Sequence, residues 1–187
     1  MPTKKTRTPS KKAPRAMPIV SSAHLAGNRY GALSELEFAL SMSVNAYQRW
    51  MVRCMAAALR ETKSEPAELG PLDVLVLHHV HHRERPKHLT ELAAGLNIED
   101  QHTVNYGLKK LARLDLIRGE RRGRTVFYET TTLGRALCDA YRRIRERCLI
   151  ESLEQLGTDE AALTEASVLM RALSGIYDQA ARSAASL

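Results

Sequence analysis

The stretch LTELAAGLNIEDQHTVNYGLKKLARLDLI, residues 89–117, decides the fold. Leu89, Leu92, Ala93 and Leu96 recur at helical spacing, and Asn97-Ile98-Glu99-Asp100 then breaks the period. Val104, Gly107, Leu108, Leu111 and Leu114 restore it on one face of a second helix. Asp100 stands where an N-cap belongs, its carboxylate placed to accept from the free N–H groups of the first turn. Two short helices about a tight turn, the second capped and basic, predict a helix-turn-helix.

The other face of the second helix separates a reader from a scaffold. At about 100° per residue, His102, Tyr106, Lys109 and Arg113 fall opposite Val104 and Leu111, with Asn105 and Lys110 beside them. This face carries hydrogen-bonding groups, positive charge and one amphipathic aromatic, and no aliphatic side chain. Asn can bond adenine bidentately, Lys can reach guanine or phosphate, and Arg can reach either. An ordinary solvated helix would also be polar and basic. Gly107 speaks against that reading, because a mid-helix Gly costs about 1 kcal/mol relative to Ala. On the packed side, its expected use is close approach of a neighbouring helix. The expectation is base reading by His102, Asn105, Tyr106 and Lys109, with Thr103, Lys110 and Arg113 on the DNA backbone.

Moving outward toward the C-terminus, LIRGERR and TVFYET read as two short strands about a turn at Arg122-Gly123. Gly123 supplies the positive φ that a tight hairpin commonly needs. A hairpin directly after a helix-turn-helix is a wing. Arg118, Arg121, Arg122 and Arg124 cluster on it. Charge on a hairpin tip often only protects an edge, but arginines beside a reading helix favour phosphate or minor-groove contact.

Moving outward toward the N-terminus, Leu72 to His82 reads as the first helix of a three-helix core, and Arg83 to Lys87 as its connector. Ahead of it a long helix runs from about Ser34 to Glu61. Leu36, Leu40, Tyr47, Met51, Cys54 and Ala58 trace one stripe, while Phe38, Met42, Trp50 and Met55 spread apolar surface onto other faces. A helix apolar on more than one side needs more than one packing partner, and a second subunit is one candidate. At the other end a helix from Thr131 to about Leu156 is apolar at Leu133, Leu137, Tyr141, Ile144, Cys148 and Leu149. Gly157 breaks it, Thr158 or Asp159 caps a last helix, and Leu163, Ala166, Leu169 and Leu173 give that helix the spacing of a helix–helix seam.

This order of elements resembles the MarR family of bacterial transcription regulators over Leu33 to Ala180. The resemblance rests on Leu92-Ala93-x-x-Leu96, Asp100-Gln101-His102-Thr103-Val104, Leu108-Lys109-Lys110-Leu111, Leu116-Ile117-Arg118 and Thr131-x-x-Gly134. It implies a homodimer joined through the terminal helices, a major-groove helix at Asp100–Leu114, and wing arginines on the backbone or in the minor groove. The family's wing carries Asp-x-Arg, and here Glu120-x-Arg122 is the nearest equivalent. The family also binds small aromatic effectors between its dimer helices and its DNA-binding unit. Tyr47, Trp50 and Met51 could line such a pocket, although core packing explains the same residues.

Composition narrows the remaining classes. The net charge of +7 points to a polyanionic partner, but Lys4, Lys5, Arg7, Lys11, Lys12 and Arg15 supply six of the 28 basic residues with no acid among them. The rest of the chain is near neutral, with 22 basic against 21 acidic residues, so the case for DNA rests on local placement. Aromatics are 5% of the chain, too few for a stacking platform for single strands. No apolar run approaches a membrane span and no signal peptide is evident, so a cytoplasmic protein without membrane association is expected. No phosphate loop, HExxH or GxSxG motif is present, and neither an enzyme nor a cofactor is expected.

Two clusters carry competing readings. His78, His79 and His82 share helical faces at i,i+3 and i,i+4, spacings that can ligate a metal, yet a closed zinc site needs four ligands. A polar edge, near DNA or between helices, accounts for them more simply. Cys54, Cys138 and Cys148 stand singly on apolar positions and are expected to be small buried hydrophobes rather than sensors.

The fold expected is mainly α with a small β-hairpin wing: a winged helix-turn-helix core flanked by long dimerisation helices. Its parts are a disordered basic tail (1–20), an N-terminal dimerisation helix (21–66), the winged helix-turn-helix (67–131) and C-terminal dimerisation helices (132–187). The function expected is sequence-specific binding of double-stranded DNA by a transcription-regulating homodimer, a repressor on a palindromic operator, relieved by a small aromatic effector. The alternatives are a chromosome-associated winged-helix protein without sequence preference, and a metal-responsive regulator using the His78–His82 cluster.

Overall fold

A computed structural model describes residues 30–157 and 159–187, together with His24. The basic tail at 1–20 lies outside the described residues. The chain divides into two compact units that meet at Gln48 and Arg49, within one long helix. That helix, α1 (Gly31–Glu61), has 31 residues. In the first unit its side chains Phe38, Met42 and Tyr47 are 46%, 60% and 53% exposed.

The second unit holds the core. Helix α2 (Pro71–His81) starts with Pro at its first position, where no N–H is missed, and Gly70 N–H donates to Asp73 Oδ2 at 2.9 Å. Helix α3 (Leu89–Gly95) is capped by the His88 ring, and Asn97, at φ +52°, turns the chain after it. Helix α4 (Gln101–Arg113) is capped by Asp100, which accepts from His102 N–H at 2.9 Å. The buried stripes of these three helices meet: Val74, Val76, Leu77 and Val80 from α2, Leu92 and Ala93 from α3, Val104, Leu108 and Leu111 from α4. Met51, Cys54, Met55, Ala58 and Leu59, from the second half of α1, belong to the same cluster.

The sheet has three antiparallel strands in the order β1-β3-β2: β1 (Lys87–His88), β2 (Ile117–Arg122) and β3 (Thr125–Thr130). Ile117 pairs with Thr130 and Arg122 with Thr125, leaving Gly123-Arg124 as a two-residue turn with Gly123 at φ +64°. Thr131 then joins wing to helix: its hydroxyl donates to Asp115 O at 2.6 Å and accepts from Gly134 N–H at 3.0 Å. Helix α5 (Thr132–Arg145) follows and packs on the second half of α1, with Cys54 Sγ bonded to Tyr141 O at 3.6 Å and Arg143 paired with Glu61 at 2.8 Å. After α6 (Glu151–Gln155), Gly157 at φ +65° reverses the chain and Asp159 caps α7 (Glu160–Ala184).

Four expectations change. The helix expected from 131 to 156 is interrupted by a π-helical turn at Glu146–Ile150. The wider turn rotates the apolar stripe, so Cys148 is exposed where a buried position was expected. The connector expected at 83–87 runs into β1 and contains a buried Lys87, 2% exposed, whose ammonium donates to Val80 O in the last turn of α2 at 3.1 Å and to His82 O just beyond it. A cation there satisfies orphan carbonyls and matches the negative end of the helix dipole. Finally, a Cβ built on Gly107 would lie 3.6 Å from Asp73 Oδ1 and 3.7 Å from Val76 Cγ2, ordinary contact rather than the close approach expected. The obligatory glycine is Gly134, whose Cβ would fall 1.9 Å from Leu116 O.

Candidate nucleic-acid interface

Helix α4 presents the face that its spacing predicts. His102 and Lys109 are exposed, Tyr106 is 68% exposed, and Asn105 is half-buried at the margin of the core. The face stands clear because the opposite side is fully committed, with Val104, Leu108 and Leu111 each at 0% exposure. At the N-terminal end, the Thr103 hydroxyl and then the His102 N–H hold the Asp100 carboxyl below its usual pKa range. The first turn of α4 is thereby fixed.

The candidate backbone contacts separate into free and engaged groups. Arg113 and Arg124 are exposed, and Arg121 Nε makes only a 3.4 Å bond to Gly123 O within the turn. Arg118 pairs with Glu129 at 2.6 Å across the two wing strands. Arg122 pairs with Glu120 at 2.6 Å, and its guanidinium sits 5.3 Å from the centroid of the Phe127 ring. Glu120 is correspondingly held below the usual carboxylate range by the Arg122 guanidinium. The His88 ring meets Phe127 edge-on at 5.7 Å, so wing and helix-turn-helix are braced by an edge-to-face contact that no sequence motif announces. Lys110 stands apart from the rest. Its ammonium is 2.7 Å from Asp73 Oδ2, joining α4 to α2. Asp73 escaped the sequence reading, although a carboxylate at the third position of a helix opened by Gly-Pro is a recognisable capping signal.

The other candidates fall into unlike surroundings. Met51 is 2% exposed in the core, Trp50 is half-buried against it, and Tyr47 is exposed. His78 packs edge-on against Tyr141 at 4.4 Å, whereas His79 stacks on His82 at 6.3 Å and His81 bonds Thr130 Oγ1 at 3.3 Å. Among the described residues, no group of three or more His, Cys, Asp or Glu is gathered closely enough to hold a metal. Burial pushes the His78 ring down to about 4, the Cys54 thiol up to about 11 and the Cys138 thiol up to about 12. Both buried thiols are therefore protonated at neutral pH and poor nucleophiles. No helix among the described residues is long and apolar enough to cross a membrane.

Comparison with known proteins agrees with this geometry. Residues 69–134 match the family model of the winged helix DNA-binding domain. No curated protein matches the sequence as a whole. The fold is similar to that of MarR, at TM-score 0.53 and 20% identity over 77% of this chain and 98% of that one. It is similar to the M. tuberculosis transcriptional regulator MOSR, solved in complex with DNA, at TM-score 0.53 and 19% identity over 73% and 96% of the two chains. AbfR of Staphylococcus epidermidis gives TM-score 0.55 and 17% identity over 79% and 95%. Residues 69–134 thus match the winged helix DNA-binding domain model, within a chain whose fold is similar to those of MarR, MOSR and AbfR.

Proposed function

We propose that this protein is a transcription regulator that binds double-stranded DNA sequence-specifically as a homodimer, as a repressor on a palindromic operator. The observation that carries the reading is the division of α4. One face is wholly buried, while His102, Tyr106 and Lys109 project from the other beside a wing edged by Arg121 and Arg124. A helix set in this way fits a major groove, and Asn105, half-buried at its margin, carries the side-chain amide that can bond a base edge bidentately.

The dimer is supported by what the chain leaves uncovered. No residue of α7 is buried, and Leu163, Val168, Leu169 and Ile176 are 47%, 55%, 49% and 61% exposed. The first half of α1 exposes Phe38, Met42 and Tyr47. Such faces mark interaction surfaces. Two copies related by a two-fold axis would set their reading helices about one DNA turn apart, which accounts for a palindromic site.

Selection of bound sequences from random duplex DNA tests the proposal. Enrichment of a palindrome with half-sites about one helical turn apart, roughly 10 bp, is expected. Tight binding without enrichment, driven by the basic N-terminal stretch and lost steeply with salt, would replace this reading with that of a chromosome-coating protein.

A further inference from the structure

The turn of the helix-turn-helix is built on Asn97. Asn97 N–H donates to Ala94 O at 3.1 Å and Ile98 N–H to Ala93 O at 2.9 Å, the paired bonds that close a helix on a left-handed residue. Asn97 is that residue, at φ +52°. Glycine fills such a position with least strain, because it has no Cβ to crowd the backbone. Asparagine tolerates it and adds a side-chain amide. Here the amide is directed at another element: Nδ2 donates to Ser174 Oγ at 3.1 Å and to Asp178 Oδ2 at 3.4 Å, one turn apart on α7. Burial along α7 picks out the same place. Leu173, Ser174, Tyr177 and Asp178 are half-buried, and every other residue of the helix is exposed. Past Asp178 a cleft of about 440 Å3 opens between Ala94, Ile98 and Glu99 on one side and Ala181, Arg182 and Ala185 on the other.

We propose that Asn97 is a positioning residue: it ties the helix-turn-helix to α7, so that the helix offered to a second copy also sets the distance between the two copies of α4. The tie enters at the joint between α3 and α4, only three residues before the Asp100 cap. A shift of α7 therefore reaches the start of α4 through the turn rather than through the packed core. Asn97 itself needs no contact with DNA. It acts on which half-site spacing fits, and leaves the choice of bases within a half-site to α4. The tie stands on the hydrogen bonds alone; the effect on spacing rests on the dimeric DNA-binding reading above.

Hydrogen exchange in the full chain tests the tie. Asn97→Gly keeps the left-handed turn and removes the amide, so circular dichroism should be unchanged. Backbone amides of α7 around Ser174 and Asp178 should exchange about tenfold faster, the size of one hydrogen bond to a charged group, while those of α3 and α4 keep their rates. Exchange in α7 at the parent rate overturns the tie. Positioning is read on the palindrome recovered by selection and on duplexes with its half-sites moved by one base pair, a rotation of roughly 35° about the DNA axis. The parent should bind the altered spacings about tenfold more weakly, and Asn97→Gly should lose that discrimination while keeping its base preference within each half-site. Unchanged spacing discrimination overturns the positioning role; equal loss of base preference also overturns it and leaves Asn97 a turn residue. Asn97→Asp sets two carboxylates against each other and should behave as Asn97→Gly does. Adding Asp178→Asn returns one amide to the pair and should restore the parent discrimination; absence of that rescue overturns the hydrogen bonds as the cause. Faster α7 exchange in Asn97→Gly, in a chain that binds no duplex of any sequence, overturns the regulator reading and the positioning role with it, and leaves the tie standing.

Discussion

Helix α4 and helix α7 carry similar apolar stripes and meet opposite fates. Val104, Leu108 and Leu111 of α4 are at 0% exposure, sealed by α2 and α3. In α7, Val168, Leu169 and Ile176 are 55%, 49% and 61% exposed, and its ties to the rest of the fold include bonds from Asn97 to Ser174 and Asp178 at 3.1 and 3.4 Å. A stripe records that a helix needs a partner. Whether the partner is in the same chain depends on what the connections permit. Short turns fold α3 and α4 back onto α2, whereas α7 begins after a reversal at Gly157 and finds no equivalent surface.

The contrast can be attacked first through α7. Leu169→Asp combined with Ile176→Asp should convert the proposed dimer to monomer in sedimentation, a loss of about 4 kcal/mol or more if both side chains are buried between copies. Far-UV circular dichroism should be retained, because both residues are exposed within their own chain. A dimer that survives both charges would place the interface elsewhere.

Inside the winged helix the sensitivity is steric and reverses. Gly134→Ala puts a methyl group 1.9 Å from the Leu116 carbonyl oxygen, a backbone atom that cannot swing aside, and should cost about 3 kcal/mol or more in urea unfolding. A cost below 1 kcal/mol would mean that the wing and α5 can separate freely, contrary to a rigid joint at Thr131.

Acid should loosen the same unit through His78. The ring is packed on Tyr141, its Nε2 is buried without a hydrogen-bond partner, and burial with the neighbouring His81 holds its pKa down at about 4. The unfolded chain therefore takes up the proton first. The contribution is complete above the ordinary histidine pKa of about 6.5 and is lost as pH falls through about 4, a change of about 3 kcal/mol. Unfolding at pH 7 and pH 4 should show a smaller acid loss in His78→Phe than in the parent; equal losses would assign the acid sensitivity to other groups.

Smaller effects separate the two faces of α4. Asn105→Ala should relax preference at one base pair by about 1–3 kcal/mol while leaving nonspecific affinity unchanged, measured by competition between single-substitution duplexes. Gly107→Ala on the packed face should be neutral or stabilising by up to about 1 kcal/mol, since its Cβ has room and helix propensity improves. Marked destabilisation there would restore the close helix approach that the spacing suggested.

Much of this molecule is local and was legible without coordinates. The caps at Asp100 and Asp159, the turn at Gly123 and the apolar faces of α2, α3 and α4 each depend on residues within a few positions of one another. Periodicity alone therefore defined the helix-turn-helix, its wing and the candidate reading face. The missed features join residues far apart in the chain. Lys87 in a connector reads as a solvated cation until the end of α2 is placed over it, and Lys110 reads as a phosphate contact until Asp73 lies 2.7 Å away. Cys148 illustrates the same limit from the other side, because a single π-helical turn undoes the register on which its burial was inferred.

By itself the sequence determined which residues need burial, which can cap a helix and which stay on the polar face of α4, since these follow from side-chain chemistry and a fixed helical period. Only the tertiary structure decided that Gly134 must stay a glycine and which lysines are bound to protein groups. Those properties belong to the distances between elements, and no local pattern encodes them.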